Sequence, residues 1–152
     1  MVPDLLSLAS QDEYQVYFEE QYCKKPLITC DGIPVYFAKR KFKHVCFESS
    51  NRDGKKDVFS TVRAERLSWV AITLKSESAK LYQGWNKYKR CYEPASRVAF
   101  EFEEFVVVVR MSLSSNGTLK GEFITCYQAD NSIGKIKKSP MWEKSMCIEK
   151  LK

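Results

Sequence analysis

The strongest constraint on the fold is a short run of apolar side chains, FVVVV at Phe105 to Val109. A strand that is apolar on both faces has to lie inside a sheet whose two faces are both covered. The preceding segment, Arg97 to Glu103, alternates apolar and polar residues and predicts a half-buried strand. Ser115 to Gly117 predicts a tight turn, after which Leu119 to Tyr127 returns as the partner strand. The second half of the chain is therefore expected to form a sheet with the apolar run at its centre.

Alternation along the returning strand assigns its side chains to two faces. Phe123, Thr125 and Tyr127 share one face, whereas Ile124 and Cys126 take the other. One face of a central strand is therefore expected to carry two hydroxyl groups.

Phe59 to Lys75, FSTVRAERLSWVAITLK, predicts a helix packed on a core, capped by Asp57 or Ser60. At about 100° per residue its apolar residues share one broad arc. Arg63 and Arg66 fall in the same arc, although a guanidinium is almost never buried without a partner. We therefore expect an anion near the first turns of this helix. A phosphate is one candidate; an internal carboxylate, or an arginine that reaches the surface, is the alternative.

The N-terminal part of the chain predicts a helix followed by a hairpin. Met1 to Ser10 is expected to be a loose arm, and Gln11 to Tyr22 a short helix. Lys25 to Thr29 and Ile33 to Ala38 are β-like runs on either side of Asp31-Gly32, which favours a hairpin turn.

Charge is unevenly distributed along the chain. The net charge is +6, yet the first 22 residues contain five of the 19 acidic residues and none of the 25 Lys and Arg residues. We expect an acidic helical extension with the first strand in residues 1–34 and a basic body in residues 35–152, together one compact domain. Such a body favours a polyanionic partner, and nucleic acid over membrane, because no basic amphipathic helix is present. Without a long apolar run or a secretory pattern, we expect a cytoplasmic protein.

The cysteine pattern does not indicate a metal site. The six cysteines include no CxxC pair and the chain has one histidine, so neither a metal nor a cofactor is predicted. We interpret the cysteines as reduced and mostly structural, with a thiol nucleophile beside the histidine as the alternative.

The only histidine, His44, lies in a basic segment, KRKFKHVCFES, that we interpret as a loop. Repulsion from the neighbouring lysines should lower the pKa of His44, which favours a base at neutral pH. The alternative is an ordinary surface histidine.

Leu81 to Tyr92, LYQGWNKYKRCY, mixes aromatic and basic residues and is closed by Pro94. Such a mixture suits base stacking, as in single-strand binders. The alternative is a core-facing loop and strand with its lysines outside.

The unusual groups together match the needs of RNA cleavage without a metal. That reaction needs a base, an acid, and fixed cations or donors for the charge that develops on the phosphate. His44 suits the first or second task, and Arg63 suits the third because its planar fork matches phosphate oxygens.

Four segments carry a family resemblance in their order and spacing: FKHVCFES, K-x-x-FS-x-x-RAERLSWV, FITCYQAD and KIKKSPMW. Over roughly residues 35–142 the chain resembles the phage-associated branch of the barnase, EndoU, colicin and RelE-like (BECR) nuclease superfamily. The resemblance implies an α+β fold in which an N-terminal helix and a core helix pack on a curved antiparallel β-sheet. It also implies a metal-independent endoribonuclease that leaves a 2′,3′-cyclic phosphate.

The resemblance also implies roles for individual residues. His44 matches the motif histidine, Arg63 the arginine of the RAxR signature, and Thr125 and Tyr127 the hydroxyl-bearing strand positions. Arg66 would support Arg63 or pair internally. The residues expected to form a basic RNA-binding rim are Lys43, Lys55, Lys56, Lys135, Lys137 and Lys138.

The expected partner is RNA, either tRNA or single-stranded RNA, and such proteins resemble toxins or phage and anti-phage effectors that can have an antitoxin or inhibitor protein. The alternative function is a non-catalytic phage or host-interaction protein that binds RNA or protein. A carboxylate-based hydrolase using Glu101, Glu103 and Glu104 is disfavoured, because alternation splits these residues between two faces.

Overall fold

The computed structural model describes residues 3–49, 56–86, 88–129 and 133–152. The helices are α1 (Gln11–Phe18), α2 (Lys41–Cys46), α3 (Thr61–Ala64), α4 (Leu67–Lys75), α5 (Ile133–Lys137) and α6 (Lys144–Leu151). The strands are β1 (Leu27–Ile28), β2 (Pro34–Tyr36), β3 (Phe47–Glu48), β4 (Val58–Phe59), β5 (Lys80–Asn86), β6 (Cys91–Phe102), β7 (Phe105–Leu113) and β8 (Leu119–Gln128). Among these residues, no helix is both long enough and apolar enough to cross a membrane.

The main sheet has six strands in the order β1-β2-β8-β7-β6-β5, and β3 pairs with β4 in a separate ribbon. The α+β class predicted from the sequence is confirmed. The sheet is mixed rather than antiparallel, because β2 runs parallel to β8 with Val35 opposite Gly121. A parallel pair needs a long crossover, and here the chain between β2 and β8 contains most of the other elements.

The apolar run Phe105 to Val109 opens β7, which lies between β6 and β8 inside the sheet as predicted. Val106, Val107 and Val109 are fully buried. The turn after β7 holds Gly117 at a φ of 83°, a left-handed conformation that glycine adopts without strain.

A bulge in β8 changes the predicted side-chain alternation. Val108 faces Thr125, but the next residue of β7, Val109, faces Phe123, so Ile124 is left out of the register. Phe123 therefore joins the core under the helices, whereas Thr125 lies on the opposite face. The prediction that these two residues share a face was wrong, since one extra residue reverses every side chain beyond it. We call the two sides the helix-covered face and the second face.

The predicted helix from Phe59 to Lys75 is two helices. Phe59 belongs to β4, and Ser60 caps α3 by accepting a hydrogen bond from the Arg63 N–H at 3.3 Å. The chain turns at Arg66, which has φ −101° and ψ 9°, before α4 begins. The two arginines therefore flank a break between helices instead of lying along one continuous apolar arc.

The N-terminal helix packs into the core of the protein. Helix α1 continues as a π-helical segment, Glu19–Cys23, and the hairpin predicted after it is formed by β1 and β2. Phe18 contacts Phe123 of β8 with ring centroids 6.4 Å apart. The Tyr22 hydroxyl donates to the Leu67 carbonyl and accepts from the Ala71 N–H at 3.2 Å, which joins this segment to α4.

The described part of the predicted loose arm, residues 3–10, has no helix or strand but is attached to the helix break. The Leu6 N–H donates to the Glu65 carbonyl at 2.8 Å, and the Trp69 Nε1 donates to the Asp4 carbonyl at 2.9 Å. These bonds hold the arm against the junction of α3 and α4.

Two further sequence predictions are corrected. His44 lies in helix α2 rather than in a loop, because Phe42, Val45 and Cys46 form a buried helical face that the basic composition concealed. Pro94 lies inside β6 rather than at the end of a segment. It is tolerated there because the pairing with β5 shifts register between Gln83 and Gly84.

Candidate functional site

A cleft of about 300 Å³ lies where α3, β3 and the end of β8 meet. Its polar lining comprises Glu48, Arg63, Arg66, Tyr127 and Gln128. Its apolar lining includes Val45, Val62 and Phe105. We call this site the arginine cleft.

Arg63 enters the cleft from the last turn of α3 and is paired with a carboxylate. Its Nε lies 3.3 Å from Glu48 Oε1, and the two side chains are 42% and 53% exposed. The expectation of a guanidinium on the buried side of a helix was wrong for Arg63, because the helix ends at Ala64 and leaves the side chain at the surface. An exposed ion pair contributes only about 0.2–1 kcal/mol, so an incoming phosphate can replace the carboxylate at little cost.

Arg66 is held by contacts within the protein. Its Nη1 donates to the Val62 carbonyl at 2.6 Å, and its guanidinium carbon lies 5.1 Å from the centroid of the Trp69 ring. Its Nε is buried and has no hydrogen-bond partner among the described residues. A buried donor without an acceptor is costly, and an anion in the cleft is one group that could accept from it.

His44 lies on the exposed side of α2; it is not in the lining of the arginine cleft, although the next residue, Val45, is. Partial desolvation lowers the pKa of His44 from its ordinary value of 6.5, and the charges of Lys41, Lys56 and Arg63 lower it further. The direction is the predicted one, although desolvation is the larger cause. The imidazole is therefore neutral at pH 7 and able to accept a proton.

Tyr127, near the end of β8, lines the cleft, and desolvation raises the pKa of its hydroxyl. The phenol therefore keeps its proton at neutral pH and can donate a hydrogen bond. Thr125 pairs with Val108 on the second face and is not part of the described lining. Thr125 and Tyr127 do share the second face, as predicted, but only Tyr127 also reaches the arginine cleft. The structure thus brings Arg63, Arg66 and Tyr127 together, with His44 outside the lining but near enough to Arg63 to feel its charge.

The predicted basic rim is divided among several places. Lys56 lies near enough to His44 to lower its pKa, and Lys43 Nζ lies 6.0 Å from the centroid of the Phe47 ring. Lys135 lines a different cleft on the second face. Lys137 lies beside a group of glutamates at the end of β6. Lys138, in the turn after α5, is exposed, and Lys55 lies outside the described residues.

Glu48 is a cleft residue that the sequence interpretation did not single out. It stands in the FKHVCFES segment four residues after His44, and its carboxylate is the one paired with Arg63. The signal that could have found it is an acidic residue in the same short segment as the histidine.

The cysteines near the cleft are thiols. Burial raises the pKa of Cys46 to about 12, and burial also raises the pKa of Cys126. All six cysteines are free. A thiol with a raised pKa is a weak nucleophile, which disfavours the cysteine alternative. Within the described ranges, no three His, Cys, Asp or Glu residues lie close enough together to hold a metal ion.

Comparisons of the chain with family models, with curated proteins and with solved structures found no match. The chemistry of the site therefore has to be inferred from its own residues. They supply an exposed arginine in an exchangeable ion pair, a second arginine with a buried donor, a protonated phenol and a neutral imidazole.

Proposed function

We propose that this protein is a metal-independent endoribonuclease with its active site at the arginine cleft. The observation that supports the proposal most is the placement of Arg63, Arg66 and Tyr127 in one cleft beside His44. Arginine and a protonated phenol are donors suited to phosphate oxygens.

In the proposed reaction, His44 removes the proton from a ribose 2′-hydroxyl. The 2′ oxygen forms a bond to phosphorus, and the bond from phosphorus to the 5′ oxygen of the next nucleotide breaks. The leaving 5′ oxygen takes up a proton from Tyr127 or from water. The products are a 2′,3′-cyclic phosphate and a 5′-hydroxyl, and no metal or redox partner is required.

Arg63 would bind the scissile phosphate after leaving Glu48, and it would stabilise the charge that develops on the phosphate oxygens. Glu48 would act as a positioning residue that holds Arg63 in the cleft before RNA binds. The contacts of Arg66 with Val62 and Trp69 support a mainly structural role, with its buried Nε available to the phosphate.

The BECR-like identity of the fold and the biological context belong to the same proposal. The BECR-like identity of the fold is supported by the α+β class, by the antiparallel pairing of β6, β7 and β8, and by the order of the sequence motifs. The parallel pairing of β2 with β8 would then be an addition to a curved antiparallel sheet. We propose a toxin or effector that acts on tRNA or single-stranded RNA in the cytoplasm and is restrained by an inhibitor protein. Thr125 would serve such a site only indirectly, through the strand that carries Tyr127.

The proposal is tested by incubating the protein with total tRNA and with single-stranded RNA in EDTA, followed by gel electrophoresis. Discrete fragments with cyclic-phosphate ends are expected, and the His44→Ala protein should lose this activity while keeping its circular dichroism spectrum. Equal cleavage by the parent and the folded His44→Ala protein would rule out the mechanism.

The second candidate is a protein that binds RNA or another protein without cutting. The ion pair between Arg63 and Glu48 favours it, because the arginine already has a partner in the absence of RNA. In the same gel, intact RNA with retarded mobility would support this candidate over the nuclease.

A further inference from the structure

A second cleft, of about 230 Å³, lies on the second face of the sheet. It is smaller than the roughly 300–1,000 Å³ of pockets that enclose a drug-sized ligand, so it suits one planar ring better than a whole molecule. Its aromatic lining comprises Tyr82, Trp85, Tyr92 and Tyr127. Its cations are Arg97 and Lys135. We call it the tryptophan cleft.

Trp85 differs from the two other tryptophans of the chain. Trp69 and Trp142 are 4% and 6% exposed, and the Nε1 of each donates to a backbone carbonyl. Trp85 is 53% exposed and is held against Tyr92 in a T-shaped contact, with ring centroids 5.0 Å apart and planes at 75°. It is therefore a large ring that is fixed on one side and open on another.

The backbone around Trp85 is adapted to this placement. The pairing of β5 with β6 shifts register between Gln83 and Gly84, and Trp85 then pairs directly with Tyr92. A Cβ at Gly84 would lie 2.5 Å from Arg97 Cβ and 3.0 Å from its carbonyl oxygen. Because Gly84 has no side chain, β5 can approach β6 closely at Arg97. This close approach of the two strands places Trp85 in the same cleft as Arg97.

The charged side chains that line the tryptophan cleft are both positive. Arg97 and Lys135 are both exposed, and no carboxylate is among the described lining residues. The arginine cleft, by contrast, contains Glu48. Exposed cations beside open aromatic rings are the combination that binds single-stranded nucleic acid, where bases stack and phosphates meet positive charge.

Tyr127 lines both clefts and so places them next to each other. We infer that the tryptophan cleft binds an unpaired base of the same single-stranded RNA whose scissile phosphate lies in the arginine cleft. The base stacks on Trp85, and Arg97 and Lys135 contact the neighbouring phosphates. This inference rests on the proposed RNA substrate, and it names an unpaired strand rather than a duplex.

The test uses a single-stranded 2′-O-methyl RNA oligonucleotide, which lacks the free 2′-hydroxyl that cleavage needs. Because Trp85 is the exposed tryptophan, saturable quenching of tryptophan fluorescence is expected on binding. Trp85→Ala should abolish the quenching and weaken binding, measured by anisotropy of a labelled oligonucleotide, by about 5- to 150-fold, the range for loss of one stacking aromatic. Trp85→Phe should restore part of the affinity.

Two further variants serve as comparisons: one removes an exposed ring outside the tryptophan cleft, and the other removes a positive charge within it. Tyr36→Ala removes an equally exposed ring, 50% exposed, on β2 outside the tryptophan cleft, and it should leave binding unchanged. Arg97→Gln should reduce the slope of log affinity against log salt by about 0.7, as expected for loss of one phosphate contact on a single strand.

The outcomes distinguish this inference from the proposed nuclease. If the oligonucleotide fails to bind, or if Trp85→Ala binds as tightly as the parent, the inference is overturned, even where His44-dependent cleavage is observed. Equal loss of duplex and single-strand binding in Trp85→Ala would also overturn it, since a duplex offers no unpaired base. If the oligonucleotide binds through Trp85 and no RNA is cut, the assignment of an unpaired base to the tryptophan cleft holds and the nuclease proposal fails.

Discussion

The arginine cleft and the tryptophan cleft meet at Tyr127 but are built from different groups. In the arginine cleft the two guanidinium groups have partners within the protein, Glu48 for Arg63 and the Val62 carbonyl for Arg66. The tryptophan cleft instead has an open ring and cations without a carboxylate in its described lining. A site for chemistry needs groups held in position, whereas a stacking surface needs open area. Under the two proposals, the reacting phosphate therefore belongs in the first cleft and an unpaired base in the second.

After the loss expected for His44→Ala, the largest expected effect is that of Arg63→Ala on cleavage. Removing one donor to a developing oxyanion lowers the rate by about 10²- to 10³-fold. Stability should change by less than about 1 kcal/mol, because the ion pair lost is exposed. Single-turnover cleavage and thermal unfolding measure the two effects.

Arg110→Ala is the matched control for Arg63→Ala. It removes an exposed arginine that also pairs with a glutamate, Glu122, at 3.8 Å, on the second face. A similar loss of cleavage in both variants would show that the arginine cleft has no special role.

The next largest effect is expected for Gly84→Ala. Its new methyl group would meet Arg97 Cβ and backbone, so we expect a loss of about 1–3 kcal/mol of stability and weaker binding of single-stranded RNA. Gly134→Ala is the control, because nothing lies within 4 Å of the added carbon. Urea denaturation of the two variants gives the comparison. Equal stability of the two variants would mean that the fold does not require the close approach of β5 to β6 at Gly84.

Glu48→Gln tests whether the carboxylate of the arginine cleft positions Arg63 or takes part in proton transfer. As a positioning residue, Glu48 should be replaceable with less than about a tenfold loss in rate, since glutamine can still accept from Arg63 and the exposed ion pair is weak. Loss of a general base lowers rates by about 10²- to 10⁴-fold. A loss in that range, together with an unchanged rate for His44→Ala, would assign the base to Glu48.

The smallest effect concerns the pH dependence of His44. Because its pKa is lowered in the folded protein, His44 stays neutral to a lower pH than an ordinary histidine, and the acid limb of the cleavage profile should lie below pH 6.5. Lys56→Gln removes one repelling charge and should move both the pKa and this limb upwards by less than about one unit. As the only histidine, His44 gives an unambiguous NMR titration. Lys120→Gln, at the start of β8, should leave the titration unchanged.

Local patterns predicted the elements that depend on neighbouring residues. The run at Phe105 to Val109 gave a central strand, Asp31-Gly32 gave a hairpin turn, and Ser60 gave a helix cap. Each of these signals is a property of a few consecutive side chains, so no tertiary information was needed.

The errors arose where distant parts of the chain decide the structure. Pairing with Val109 places the bulge at Ile124, and attachment of the N-terminal arm accompanies the break beside Arg66. Periodicity alone cannot show either feature, and the bulge places Phe123 and Thr125 on opposite faces of the sheet. The pairing of Arg63 with Glu48 is equally non-local, since β3 and α3 meet only in the folded chain.

The most direct test of the proposed chemistry is cleavage in EDTA of an RNA oligonucleotide, with the masses of the product ends measured. The mechanism predicts 2′,3′-cyclic phosphate and 5′-hydroxyl ends from the parent protein. It also predicts no cleavage when the nucleotide at the mapped site carries 2′-hydrogen in place of the hydroxyl. Products with 5′-phosphate ends, or undiminished cutting of the 2′-deoxy substrate, would contradict attack by the ribose hydroxyl at the arginine cleft.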